Sequence, residues 1–219
     1  EASAVIRKRA EEKQAPCYPV RPQQLKIKKI TRKNIDFSFA SRYDDVIPIE
    51  IPFVAEYQVM NMALAYQALM LLAPRFSLAR EKILLALRTV RWAGRMQQVC
   101  PEVYFDGAHN TAGIEEFLKT VRQIGGKKPL LLFSMVKEKD YAAVVRMLSR
   151  TDWGGIVVTH IPDARGLSVA ALQEEFEKNG KETVGINDCR AAYDGVMQKK
   201  EPGQTVFCTG SLYLIGELE

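Results

Sequence analysis

The sequence predicts an α/β protein whose C-terminal part is an open, mostly parallel, doubly wound sheet. Three observations predict it. After Trp92, five short apolar runs recur at 103–105, 130–133, 156–158, 183–186 and 206–208. Each is followed by a polar turn and then by a stretch of helical periodicity, which is the pattern of a βαβ series. The runs lack polar alternation, as strands covered on both faces do, and a crossover helix between successive strands leaves the sheet open.

The upstream elements follow in order. The opening Glu-Ala-Ser-Ala-Val-Ile-Arg-Lys-Arg has no apolar signal core and reads as the middle of a helix, so the chain is expected to be a piece of a longer one. Between residues 16 and 51, the runs Leu-Lys-Ile-Lys-Lys-Ile (25–30) and Ile-Asp-Phe-Ser-Phe (35–39), with several prolines, predict small antiparallel strands lying at the surface. Val59, Met62, Ala63, Tyr66, Leu69 and Met70 recur at spacings of three and four, which predicts a long helix within 54–72 that Pro74 stops. A second helix is expected from Ser77, as its N-cap, to about Thr89. The domain boundary falls between Arg91 and Arg95. Residues 1–91 are too poor in strands to be a whole α/β domain and read as the C-terminal portion of one, with an apolar helix short of strands to pack on. Residues 92–219 are expected to fold by themselves.

Composition excludes several classes. With 219 residues, 47% hydrophobic and 26% charged, the chain has the make-up of a folded globular protein and not of a disordered one. The net charge of +5 is concentrated in residues 1–42, which carry +7 and leave −2 for the rest. Its densest run, Lys26, Lys28, Lys29, Arg32 and Lys33, has no interleaved aromatic residues, so a solvated domain edge is expected and no nucleic-acid partner. The most apolar stretch, 60–73, is interrupted by Asn61, Tyr66 and Gln67 and falls short of the roughly 20 residues a membrane span needs. Cys17, Cys100, Cys189 and Cys208 are scattered without a C-x-x-C pair, which argues against a zinc site or a disulfide framework and fits a reducing cytoplasm.

The residues able to carry chemistry lie where ligands bind in open α/β sheets, beyond the carboxyl ends of the strands. The first strand of the series ends in Asp106-Gly-Ala-His109-Asn110-Thr-Ala-Gly113 and leads into a helix. Asp106 is suited to accept a bond from a ribose hydroxyl, and Asn110 or Thr111 to cap the helix. The loop needs a cap and a glycine but has no structural need of a histidine; a plain turn is the alternative. At the boundary, Trp92-Ala-Gly94-Arg95-Met96-Gln97 offers an arginine able to reach a phosphate and a glycine able to hinge, or simply a surface arginine after a loop glycine. Gln58 and Asn61 sit three apart at a helix start, where an asparagine can read a base edge or satisfy backbone groups. Thr209-Gly210-Ser211-Leu-Tyr213 turns from the last strand into a helix N-terminus, a second candidate anion site. Gly125-Gly-Lys-Lys follows a helix instead of a strand, and no G-x-x-x-x-G-K-[ST] occurs, so the chain holds no phosphate loop.

Taken together, Gln58-x-x-Asn61-x-x-x-Ala65, Trp92-x-Gly94-Arg95-Met96-Gln97, Asp106-Gly-Ala-His109-Asn110, the Ser134 to Lys139-Asp140 segment and Gly210-Ser211-Leu-Tyr213 resemble folylpolyglutamate synthase and the bifunctional dihydrofolate synthase, members of the Mur-type ATP-dependent amide ligases. The resemblance implies a fragment of such a ligase. Residues 1–91 would be the tail of a P-loop-type ATPase domain and 92–219 a Rossmann-like glutamate-binding domain. The parent enzyme would add L-glutamate to dihydropteroate or folate through an acyl phosphate, using ATP and Mg²⁺, as a cytoplasmic monomer with small-molecule partners only. It further implies that Asn61 contacts adenine, Arg95 the ATP phosphates and Asp106 the ribose. His109, Ser211 and Tyr213 would line the glutamate cleft, shaped also by Lys139 and Asp140, with Arg95 and His109 catalytic. Tyr57-Gln58 replaces the family's frequent His-Gln. The phosphate loop and metal ligands would lie outside this chain, so the fragment alone is expected to be inactive. A cell-wall Mur ligase, which usually shows Tyr-Ala-His-Asn-Pro where this chain has Gly-Ala-His-Asn-Thr, and a non-catalytic α/β nucleotide-binding module are the alternatives.

Overall fold

The computed structural model describes residues 2–219 and contains two sheets joined by the segment around Arg91. It opens with helix α1 (Ala2–Glu12), where a helix is expected; Glu1, the first residue of that run, lies outside the described residues. Strands β1 (Leu25–Ile30), β2 (Ile35–Phe39) and β3 (Ile47–Ile51) then form an antiparallel sheet in the order β1-β2-β3. In β3 the alternation Ile47, Ile49, Ile51 inward and Pro48, Glu50 outward gives one buried and one wet face. Pro48 is tolerated because β3 is an edge strand.

Against this sheet pack α2 (Tyr57–Phe76) and α3 (Arg80–Thr89). Phe37, Phe39, Ile49 and Ile51 meet Val59, Met62, Ala63 and Tyr66 of α2 and Ile83 and Leu87 of α3 in a core of their own. The small antiparallel strands lie where expected, but β2 and β3 do not merely lie at the surface: they are the floor on which α2 sits, which corrects the expectation of a helix with no strands beneath it. Two helix boundaries also differ. Helix α2 runs two residues past Pro74, since a proline in the last turn forgoes one hydrogen bond and the Ser77 N–H closes the turn on Ala73 O. Ser77 is thus the left-handed C-cap of α2 (φ +52°) and not the N-cap of α3.

The second sheet comprises β4 (Gln97–Cys100), β5 (Val103–Asp106), β6 (Leu130–Phe133), β7 (Gly155–Val158), β8 (Val184–Gly185) and β9 (Val206–Thr209), in the order β4-β5-β9-β6-β7-β8. All neighbours are parallel except β4, an antiparallel edge hairpin with β5 that the apolar runs do not announce. Its helices are α4 (Thr111–Ile124), α5 (Tyr141–Leu148), α6 (Val169–Lys178), α7 (Cys189–Lys199) and α8 (Leu212–Leu218). Strand side chains alternate between two cores. Tyr104, Leu131, Phe133, Ile156, Val158 and Phe207 face α4, α5 and α6, while Val103, Phe105, Leu132, Val157, Val206 and Cys208 face α7 and α8. The sheet is doubly wound, as the sequence predicts.

Chain order fixes where a ligand can enter. Strand β5 hands the chain through α4 to β6, two places along, and β9 fills the gap last. The loop after β5 leads to one face and the loop after β9 to the other, so their carboxyl ends part and leave a crevice, the switch point at which open α/β sheets bind ligands. The two sheets touch beside it. Val54 and Ala55 are buried with Met96 and Tyr104, Tyr57 packs on the same cluster, and Tyr104 Oη donates to Arg32 O at 2.9 Å. Among the described residues, no helix is long and apolar enough to cross a membrane.

Phe207 anchors the larger core. It is fully buried, stacked on Tyr104 (5.6 Å between ring centroids) and edge-on to Phe117 (5.7 Å) and Trp153 (6.4 Å). Phe207→Ala is expected to cost about 3–5 kcal/mol of stability, measured by urea denaturation; a loss below about 1 kcal/mol would contradict the packing described.

Candidate functional site

Three loops meet at the carboxyl ends of the central strands. The first is the loop after β5. Asp106 ends the strand at 3% exposure, and its carboxylate accepts two backbone N–H groups, Met96 N to Oδ2 at 2.9 Å and Ala108 N to Oδ1 at 2.8 Å. Burial pushes its carboxyl up to about 6; the two N–H bonds and the nearby charges of Arg95 and His109 work the other way. His109 Nδ1 lies 2.9 Å from Gly107 O. A carbonyl only accepts, so Nδ1 carries the proton and Nε2 is the nitrogen left for a ligand. Asn110 caps α4 through its side-chain oxygen, which accepts Gly113 N at 2.8 Å.

The linker 92–97 is tied to this loop. Gly94 O accepts from Gly107 N at 2.8 Å, and Gly94 N donates to Gln97 Oε1 at 2.8 Å. Gly94 holds φ +63°, and an added Cβ would lie 3.0 Å from Leu212 Cδ2 and 3.4 Å from Ile215 Cγ2. Gly94 holds a left-handed turn against α8, bonded on both sides, where the sequence suggests a hinge. Arg95, half-buried, makes no ion pair among the described residues. It borders a cleft of 730 Å³ between the linker and the β1–β2 turn, together with Arg32, Lys33 and Arg91. Glu50 is the acidic residue lining that cleft and is bonded by Asn34 Nδ2 at 2.7 Å. The cleft suits an anion.

The α2 N-terminus closes on the same place. Tyr57 is held above its ordinary pKa by burial first and by the negative charge of Asp106, with Arg95 acting in the opposite sense. One turn on, exposed Asn61 donates through Nδ2 to the buried Gln58 Oε1 at 2.9 Å. Its Oδ1 and second N–H remain for a base edge.

The second and third loops follow β9 and β6. Gly210 adopts φ +110° where an added Cβ would stand 2.1 Å from Ser134 O, so only glycine fits between the two strand ends. Ser211, 3% exposed, caps α8 by accepting Tyr213 N at 3.1 Å. Ser134 Oγ and Thr209 Oγ1, at the ends of β6 and β9, are fully buried without a hydrogen-bond partner among the described residues. Lys139 and Asp140 are exposed on the loop after β6, where Asp140 Oδ1 accepts Ala143 N at 3.1 Å to cap α5.

The sequence-predicted residues thus divide. Arg95, Asp106 and His109 come together with Tyr57, and Asn61 stands one turn along α2. Ser211 and Tyr213 lie across the switch point, and Lys139 and Asp140 share no hydrogen bond with the other candidates among the described residues. One residue escaped the sequence. Arg165, in the β7–α6 loop, lies 4.7 Å over the Tyr213 ring and is bidentate to Asp163 (3.0 and 3.1 Å), while its carbonyl accepts Lys137 N at 2.7 Å. The Ile-Pro-Asp-Ala-Arg-Gly stretch carries turn residues only, and nothing local signals a partner 48 positions away. Among the described residues no group of three or more His, Cys, Asp or Glu side chains is gathered to hold a metal ion.

Fold and site define a class: an open α/β domain whose strand order reverses at β5 and β9, tied to the start of α2 in the neighbouring unit. Residues 94–212 match the Mur ligase, glutamate ligase domain, and the chain belongs to that family. It is 25% identical over 189 residues to the folylpolyglutamate synthase of Lacticaseibacillus casei, covering 81% of this chain and 41% of that protein. It is 27% identical over 187 residues to the dihydrofolate synthase/folylpolyglutamate synthase of Bacillus subtilis, covering 83% and 43%. Its fold is similar to that of Mycobacterium tuberculosis folylpolyglutamate synthase complexed with ADP and AMPPCP, with a TM-score of 0.81 at 20% identity, over 98% of this chain and 51% of that one. The chain spans less than half the length of these curated relatives and about half of that solved chain.

Asp106 gives the fold a pH signature of definite sign. Its carboxyl titrates near 3.9 when unfolded and at about 6 when folded. The folded state therefore holds the proton over that interval, and the stability it contributes is present below about pH 4 and lost as pH rises through about 6. The stability difference between wild type and Asp106→Asn is expected to fall by up to about 3 kcal/mol between pH 4 and pH 7. Urea melts at the two pH values check it; a flat or rising difference would contradict the buried setting.

Proposed function

We propose that this chain is the nucleotide-facing and glutamate-binding part of an ATP-dependent carbon–nitrogen ligase that adds L-glutamate to dihydropteroate, folate or both, including poly-γ-glutamate extension. One observation carries the proposal. A linker arginine bordering a basic cleft and a loop histidine are both held by the end of β5 in a Mur ligase glutamate ligase domain. The domain division proposed is an ATPase-domain tail over 1–91 and a glutamate-binding domain over 92–219. The names of the relatives support the folate substrate over a cell-wall amino-acid ligase.

Chemically, ATP supplies the phosphoryl group that turns the acceptor carboxylate into an acyl phosphate. Glutamate nitrogen then forms the C–N bond, the carbonyl C–O bond to phosphate breaks, and the amine loses a proton. This chain's residues position and neutralise. Arg95, with Arg32, Lys33 and Arg91 around the same cleft, offers unpaired positive charge to phosphate oxygens. Asn61 presents its remaining amide groups to adenine, and Asp106 borders the ribose with one lone pair left on each oxygen. His109 Nε2 is free to hydrogen-bond at the point where glutamate meets the activated carboxylate, with Ser211 and Tyr213 across the crevice and Arg165 as the cation beside Tyr213. Lys139 and Asp140 shape the outer rim. Mg²⁺ has no ligand cluster among the described residues, and no step here passes through it. A cytoplasmic monomer acting on small molecules, and on neither nucleic acid nor membrane, completes the proposal.

In the full-length protein, Arg95→Ala is expected to lower kcat/KM roughly 100-fold or more, read in a steady-state assay with ATP, folate and glutamate; unchanged kcat/KM would remove Arg95 from the reaction. His109→Ala should impair glutamate-dependent turnover while moving Tm by only a few degrees, because a half-buried loop side chain leaves no core cavity. Thermal melts paired with glutamate titrations decide it: a large loss of Tm with normal glutamate kinetics would make His109 structural.

A further inference from the structure

Arg95 stands between two residues whose backbones are both held by the end of β5. On one side Gly94 O accepts from Gly107 N at 2.8 Å; on the other Met96 N donates to Asp106 Oδ2 at 2.9 Å. The neighbours of Arg95 are thereby fixed to two successive residues of a central strand's end. The second carboxylate oxygen of Asp106 takes Ala108 N at 2.8 Å and so fixes the residue next to His109. One side chain, 3% exposed, holds the backbone beside both the arginine and the histidine.

Two further observations give this bond pair its weight. Met96 adopts φ +47°, a left-handed conformation that a non-glycine residue keeps only where its surroundings impose it. The Asp106 bond is made to that residue's own N–H, and the Met96 side chain is buried beside Tyr104 in the larger core. Arg95 itself has no ion pair among the described residues, so the placement of its backbone is what the fold holds fixed.

We propose that Asp106 is a positioning residue: by accepting the Met96 and Ala108 N–H groups it sets, through the backbone, where the Arg95 guanidinium and the His109 ring stand, and it acts on phosphoryl transfer through Arg95. This rests on the ligase reading above and goes beyond a ribose contact. A carboxylate is what the task requires. Asparagine keeps one acceptor oxygen and turns an NH₂ donor toward the other N–H, so one bond is lost; alanine loses both. Removing the pair leaves the charge of Arg95 in place but frees its direction, and a displacement of about 1 Å at a charge clamp costs roughly 100-fold in rate.

The test has two arms. Amide hydrogen exchange by NMR is measured on this chain as wild type, Asp106→Asn and Asp106→Ala. The amides of Met96 and Ala108 are expected to exchange at least about 10-fold faster in Asp106→Ala, consistent with the loss of one bond each, with the Arg95 amide shifted and the β6 and β9 amides unmoved. Retained protection of both amides in a folded variant would overturn the proposal. Where Asp106→Ala does not fold, Asp106→Asn carries the comparison with one of the two amides released. In the full-length protein, Asp106→Ala and Arg95→Ala are combined in a double-mutant cycle on kcat. The double variant is expected to lose far less than the product of the two single losses, because the part of Asp106 that acts through Arg95 has nothing left to act on; what remains is the part through His109 and, in KM for ATP, the ribose contact proposed above. Losses that multiply would overturn it. A wild-type protein with no glutamate-dependent turnover would instead sink the ligase reading, and the exchange arm would still decide whether Asp106 holds the linker.

Discussion

The carboxylate of Asp106 accepts one backbone N–H from the linker and one from its own loop, and the rest of the site is arranged around that pair of bonds. Together with the Gly107 to Gly94 bond they make the linker an extra stretch of the C-terminal sheet's edge, continuous with β4. Arg95 is carried along at the mouth of a basic cleft, and His109 is held a few residues away with its Nδ1 proton committed to Gly107 O. The polar groups at the ends of β5, β9 and β6 belong to one row: Asp106 pairs in register with Thr209, which pairs with Phe133, the residue before Ser134.

A buried carboxylate at this position is a compromise between opposing effects. Burial disfavours its charge, whereas two N–H donors and the nearby Arg95 and His109 favour it. The outcome, a carboxyl that titrates near 6, means the staple carries full charge only above that pH. The group that fixes the linker also supplies negative charge beside Arg95 and Tyr57. Anchoring falls instead to packing in the neighbouring unit. Val54, Ala55 and Tyr57 lead from β3 into α2 and bury themselves against Met96 and Tyr104, so the start of α2, and Asn61 with it, is brought to the linker by apolar contact.

Much of this was legible in the sequence wherever the signal is local. Runs such as Leu130–Phe133 and Val206–Thr209 are apolar on both faces because two layers of helices cover them, and Asn110 caps α4 as its loop position suggests. Elements whose stability comes from partners were not legible. Strand β4 has two apolar residues, Val99 and Cys100, after two glutamines and exists because β5 pairs with it. Helix α2 passes Pro74 because a single lost hydrogen bond near a helix end is outweighed by the packing of Val59, Met62, Ala63 and Tyr66 on the small sheet. The fixed turn at Gly94 was expected as a hinge, since a glycine at φ +63° and a freely rotating one are the same letter; Gly107, Gln97 and Leu212 make the difference. Arg165 became visible only when the β7–α6 loop met Tyr213 at the start of α8.

Because the staple binds the linker to the C-terminal sheet, residues 94–96 should move with that sheet, and any relative motion of the two α/β units should be taken up upstream of Gly94. Residual dipolar couplings of backbone N–H vectors measure this directly. A single alignment tensor fitted to the strands and helices of residues 103–218 is predicted to reproduce the couplings of Gly94, Arg95 and Met96 as well as it reproduces those of β5 and β9. Couplings at these three residues that are averaged toward zero, or that require a tensor of their own, would show a free hinge at Gly94 and contradict the account.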